Sequence, residues 1–153
     1  LIVDEFKFKC CIGKNGIKKN KVEGDLSTPK GKFDLENLYY RDDKLDKPFC
    51  NLKTIKIKNK FGWCTDVKSN FYNKIFKINK KFKYEKLYRN DYKYNLLVVL
   101  SYNRKKIIKN KGSAIFLHLT KNYKPTAGCI ALGKKDFLIL IKIIKKNTKI
   151  IID

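Results

Sequence analysis

Two uninterrupted β-prone runs restrict what this chain can fold into. Leu96 to Tyr102 reads LLVVLSY, and Ser113 to Leu119 reads SAIFLHL. A strand wetted on one side alternates apolar and polar residues, whereas an unbroken apolar run has no polar face and is covered on both. Both runs are therefore expected to be buried inner strands, the second ending at His118. The basic stretch Lys105 to Gly112 connects them.

Shorter elements surround this pair. Leu1 to Ile12 reads as a strand with Phe6 and Phe8 on one face and Glu5, Lys7 and Lys9 on the other. Gly13 to Gly16 is a turn, Gly24 to Lys32 a loop of turn formers, and Phe33 to Tyr40 a short strand. Arg41 to Pro48 breaks the pattern, and Ile55 and Ile57 alternate with lysines as another short strand. Gly62 to Asn73, GWCTDVKSNFYN, is polar, aromatic and irregular, which predicts a loop packed on something. Ile130 to Leu132 follows the Gly128-Cys129 turn. Lys134 to Lys146 then carries Phe137, Leu138, Leu140, Ile141 and Ile144 at helical spacing. Lys145 and Lys146 would sit at the negative end of that helix dipole. Thr148 to Ile152 is a terminal strand. With no internal repeat or linker, residues 1–153 read as one mainly β domain with one helix.

The formal net charge of +23 raises nucleic-acid binding as a possibility. Only Arg41, Arg89 and Arg104 are arginines, however, and bidentate reading of bases and phosphates favours Arg. The lysines are scattered rather than gathered in one arm, which reads as a solvated, compositionally biased surface. Such a surface attracts polyanions, an acidic cell envelope among them, but no specific nucleic acid is expected. No run of about 18 apolar residues is present, so no transmembrane segment is expected. The five cysteines, at 10, 11, 50, 64 and 129, are an odd set without a CxxC pair, and no metal site is read from them. Adjacent Cys10 and Cys11 are poor joint ligands, a disulfide between two of the other cysteines stays open, and free buried thiols are the favoured reading.

Chemistry concentrates in Ile115 to Phe137, where the only histidine, His118, stands eleven residues before Cys129 in the turn Thr126-Ala127-Gly128-Cys129. Alone, such a His is as often structural, and such a Cys is more often an inert small apolar residue. Together they point to a nucleophile and its base. Gly128 permits a sharp turn that exposes the next side chain, and the N–H groups of Gly128 and Cys129 lie where an oxyanion could be held. An imidazole within reach could take the thiol proton, giving a thiolate–imidazolium pair.

This segment resembles the active-site signature of the L,D-transpeptidase (YkuD-type) catalytic domain, in which a strand ends in His and a Ser/Thr-x-Gly-Cys turn delivers the nucleophile. The resemblance extends along nearly the whole chain. Gly24 to Phe33, GDLSTPKGKF, is similar to the family's Thr-Pro-x-Gly-x-Phe element. Trp63-Cys64-Thr65-Asp66 with Tyr72-Asn73, and Tyr102-Asn103 leading to Gly112–His118, are similar to one bacterial branch. Two positions differ from many members: Ala127 replaces a second His and Ala131 an Arg or Asn, as in that branch. The resemblance implies a β-sandwich with one helix after the nucleophile, and acyl transfer on peptidoglycan stem peptides outside the cytoplasmic membrane. It implies Cys129 as nucleophile, His118 as base with a backbone carbonyl near Leu119 orienting it, and Thr126, Tyr102, Asn103 and Trp63 as substrate contacts. Neither metal nor cofactor is implied. The competing readings are a hydrolase of the same fold and a non-catalytic basic module for nucleic acid or envelope polymer.

Overall fold

The computed structural model describes residues 1–3 and 5–153. The chain opens with β1 (Ile2–Val3), β2 (Phe6–Lys7) and β3 (Cys10–Cys11), then β4 (Ile17–Lys18) and β5 (Thr28–Pro29). The long strand β6 (Gly31–Tyr40) follows, then β7 (Thr54–Lys56), β8 (Phe61–Cys64), β9 (Ile75–Lys77) and β10 (Tyr84–Lys86). β11 (Leu96–Leu100), β12 (Phe116–Thr120), β13 (Ile130–Gly133), α1 (Lys134–Ile143) and β14 (Lys149–Ile152) complete the fold. Among the described residues it is mainly β, with one helix directly after the Gly128-Cys129 turn and β13.

The principal sheet has the order β14-β6-β11-β12-β13-β3, with β7 added in parallel to β6. The two apolar runs lie in its middle, where β11 is buried at every position and pairs antiparallel with both β6 and β12. Alternation along β11 divides the interior in two. Leu96, Val98 and Leu100 join Leu117, Leu119, Ile130 and Leu132 on the face covered by α1 through Phe137, Leu140 and Ile141. Leu97 and Val99 join Tyr39, Phe116, Trp63 and Cys129 on the opposite face, beside the smaller sheet β10-β8-β9.

Several sequence expectations are corrected. Leu1 to Ile12 is not one strand, because Ile2 pairs with Lys7 and Val3 with Phe6 in a reversal of the chain. Phe6 and Phe8 nonetheless share a face, their rings stacked 6.1 Å apart. Gly62 to Asn73 is not wholly loop: Gly62, Trp63 and Cys64 lie in β8, buried on both faces, which removes the alternation that would have marked a strand. The helix ends at Ile143, with Ile144 already extended, so Lys142 and not Lys145 or Lys146 faces the dipole's negative end. β12 begins at Phe116 and runs to Thr120, which puts His118 in mid-strand.

Candidate active site

The parallel pairing of β12 with β13 builds the site. Leu117 lies beside Ile130, His118 beside Ala131 and Leu119 beside Leu132. Because side chains alternate between faces, His118 shares its face with Ala131 and Phe116. One step back along β13, Cys129 falls beside Phe116 on that same face, and the Phe116 N–H donates to Cys129 Sγ at 3.4 Å. His118 and Cys129 are thus on neighbouring rungs of one face. A row of paired residues, Tyr39, Leu97, His118, Ala131 and Cys11, crosses the sheet through the histidine.

The turn before Cys129 is closed by its own threonine. Thr126 Oγ1 accepts the Gly128 N–H at 3.1 Å and donates to the Cys129 carbonyl at 2.5 Å. Gly128 has φ of 137°, and a Cβ there would stand 2.7 Å from the Ser27 carbonyl oxygen, so the position requires glycine. Thr28 Oγ1 donates to the Gly128 carbonyl and accepts the Gly13 N–H, both at 2.9 Å. Ser27 and Thr28 therefore form the floor on which the Gly128-Cys129 turn rests.

The thiol points to a loop carbonyl, with Cys129 Sγ donating to Ala114 O at 3.2 Å. Ala114 has a left-handed φ of 53°, and its N–H is bound by Asn73 Oδ1 at 3.1 Å. Asn73 is 1% exposed and uses its whole amide. Its Oδ1 also accepts the Trp63 indole N–H at 2.9 Å, and its Nδ2 donates to the carbonyls of Tyr102 (3.2 Å) and Asn103 (2.7 Å). Three sequence-distant elements meet on this side chain.

The four expected substrate contacts all lie in this framework. Trp63 is 1% exposed, packs edge-on against Phe116 at 5.2 Å and has the Arg104 guanidinium over its ring at 4.8 Å. Asn103 binds the backbone of Ile108 and Gly112, and the Tyr102 hydroxyl donates to the Lys111 carbonyl. Thr126 is held within the turn. Their polar side-chain atoms are all engaged by other groups of the protein.

His118 Nδ1 lies 2.9 Å from the Leu119 carbonyl. A carbonyl can only accept, so Nδ1 carries the proton and Nε2 the lone pair. His118 is 6% exposed and Cys129 9%. Burial drives the imidazole pKa down to about 4 against the opposing pull of the Leu119 carbonyl, with Lys93 and Arg89 lowering it further. Burial likewise pushes the thiol up to about 12, opposed by the Phe116 N–H and Lys21 and reinforced by Glu85. Both shifts favour a neutral thiol beside a neutral imidazole at rest. Transferring the proton in this closed state would create two buried charges.

Two site residues escaped the sequence reading. Tyr94 is 8% exposed and packs edge-on against both His118 (5.2 Å) and Phe116 (6.0 Å). Burial, together with the neighbouring Cys129 and Glu85, raises its hydroxyl well above the usual tyrosine range. Arg89 lies over its ring at 5.0 Å, held by Glu85 at 3.2 Å and Asp91 at 2.6 Å. Nothing in the sequence distinguishes Tyr94 from the other eight tyrosines. Lys21, the second, is one lysine among thirty-four; its one signal was Asp25 four residues on. The remaining cysteines, Cys10, Cys11, Cys50 and Cys64, are free. Among the described residues no group of three or more His, Cys, Asp or Glu side chains gathers as a metal site, and no helix is long and apolar enough to cross a membrane.

The model of the L,D-transpeptidase catalytic domain family, YkuD, matches residues 3–152, and the chain belongs to that family. No curated protein and no solved structure matches it.

Proposed function

We propose that this member of the L,D-transpeptidase family carries out acyl transfer on peptidoglycan stem peptides through a thioester on Cys129. The observation that carries the reading is the β12–β13 register, which sets the sole histidine and the turn cysteine on adjacent rungs of one face. The Nδ1 contact with Leu119 leaves Nε2 as the base. Cys129 Sγ attacks the carbonyl between diaminopimelate and the terminal D-alanine while His118 Nε2 takes the thiol proton. The tetrahedral intermediate collapses with cleavage of the C–N bond, and His118 returns the proton to the leaving amine. The Gly128 N–H is already given to Thr126, so the Cys129 N–H is the donor we assign to the oxyanion, with Gly128 shaping the turn. An amine of a second stem then resolves the thioester to a 3→3 crosslink and restores the thiol. Water in that role makes the same site a carboxypeptidase or endopeptidase. Trp63, Tyr102, Asn103 and Thr126 support the site from within the fold, and the setting is the periplasm or cell envelope.

Mass spectrometry after incubation with a purified tetrapeptide stem, or with a carbapenem, tests this reading. The expected product is one adduct on Cys129, absent from Cys129→Ala and retained by Cys64→Ser. An adduct on Cys64, or none on Cys129 in folded protein, overturns it.

A further inference from the structure

We propose that Lys21 is a positioning residue for this reaction, a buried ammonium set against the nucleophile turn to favour the ionised form of Cys129. The proposal rests on Cys129 being the nucleophile. Lys21 is 3% exposed, and among the described residues Arg41 is the only other cation so buried apart from the neutral His118. Its chain threads between two glycines. A Cβ on Gly112 would strike its Cε at 2.8 Å, and one on Gly128 would reach its Nζ at 3.5 Å. Side chains at either position would contest the space that the lysine occupies.

The partner of Lys21 gives the arrangement a direction. Nζ binds Asp25 Oδ1 at 2.6 Å and the Val22 carbonyl at 3.5 Å. The Asp25 carboxylate also accepts the N–H groups of Val22 and Ser27, each at 3.0 Å. Burial alone would raise the Asp25 pKa, but these hydrogen bonds hold it well below the ordinary carboxylate range. The negative end is thus absorbed by its own loop, while the positive end meets the turn. Stability alone is a weak account of such a pair, since desolvation offsets much of its attraction and apolar replacements are often neutral or better. A positive end at the turn does have a chemical use. Burial resists ionisation of the Cys129 thiol, Glu85 from β10 adds to that resistance, and Lys21 opposes both. The other titratable groups facing the thiol are His118 on β12 and Tyr94 ahead of β11.

The test is the pH dependence of Cys129 alkylation by iodoacetamide, followed by peptide mass so that the other four thiols are resolved. It compares wild type, Lys21→Met, Asp25→Asn and the double variant. Asp25→Asn and the double variant differ only in Lys21, with no carboxylate in either. Their midpoints are expected to differ by about one pH unit, lower where the lysine remains, which is about tenfold in rate below the midpoint. Lys21→Met alone should lie above wild type. A pair that only staples loops would lower the melting temperature of each variant and leave the midpoints together, and that result overturns the proposal. Should Asp25→Asn fail to fold, Lys21→Arg against Lys21→Met supplies a contrast in the cation alone, with the carboxylate present in both. Alkylation needs only a thiol, whereas tetrapeptide acylation of wild type tests the proposed function, so failure of one is distinguishable from failure of the other.

Discussion

Asn73 shows how much geometry one buried side chain can hold. Its amide satisfies the Trp63 indole, the Ala114 N–H and two loop carbonyls. Asn73→Ala strands two buried donors, each costing about 1–3 kcal/mol when unpaired. A loss of roughly 2–5 kcal/mol is expected in urea unfolding, with slower Cys129 acylation because Ala114 no longer places the thiol's acceptor. His118 and Cys129 make their own prediction about pH. His118 titrates near 4 folded against 6.5 unfolded, so between those values the unfolded chain binds the extra proton. Stability from burying the neutral ring is complete above about pH 6.5 and fades as pH falls towards 4, by about 3 kcal/mol in all. Cys129 works the other way. Its thiol pKa rises from 9.0 to about 12, so stability falls as pH climbs through that range. Denaturation followed against pH should show a plateau from about 6.5 to 9, and His118→Gln should remove the acid slope while leaving the alkaline one.

At the scale of elements, the turn that carries Cys129 depends on backbone that only glycine supplies at position 128. Gly128→Ala combines a φ of 137° with a Cβ 2.7 Å from the Ser27 carbonyl oxygen, a contact against backbone that cannot swing aside. It should cost about 1–3 kcal/mol from the strained φ alone and abolish the Cys129 adduct, read by the same mass measurement on protein shown to be folded. The two inner strands were legible in the sequence. LLVVLSY and SAIFLHL have no polar face, and their burial in the sheet centre follows from that alone. The helix was legible from its spacing, though not its end, because Ile144 keeps the apolar pattern after the backbone has become extended. β8 was hidden because Gly62, Trp63 and Cys64 are buried on both sides, so composition resembled an irregular loop. The pairing of His118 with Ala131 was not legible either. Parallel register depends on how far the 121–129 connection carries the chain, and no local pattern encodes it. The Leu119 carbonyl stands where a histidine lacking a second signature His was expected to find its acceptor. Tyr94 and Lys21 needed the fold, since their roles arise from neighbours distant in sequence.

For the whole molecule, the unanswered quantity is the charge. Of the 37 basic residues, Lys21 and Arg41 are the buried ones among the described residues, so nearly all of the +23 faces solvent. Local ion pairs absorb part of it: Asp34 with Lys149 and Lys105, Asp42 with Lys56, Glu36 with Arg104. Exposed pairs of this kind contribute little to stability, and the surplus remains as a long-range field. Cys129 and His118 are themselves nearly buried, and burial is the largest influence on each. Polymer binding and acylation should therefore separate under salt. The Debye length shrinks from about 10 Å at 0.1 M to about 3 Å at 1 M. Binding to an anionic polymer such as polyglutamate, measured by co-sedimentation, should weaken steeply over that range and show no preference among polymers of equal charge density. Acylation of Cys129 by a small neutral donor should change little across the same salts, since burial is the largest influence on the thiol and Lys21, which acts on it, is itself buried. Tight DNA binding that survives 1 M salt and discriminates between sequences would refute this division, and would make the basic surface a recognition site in its own right.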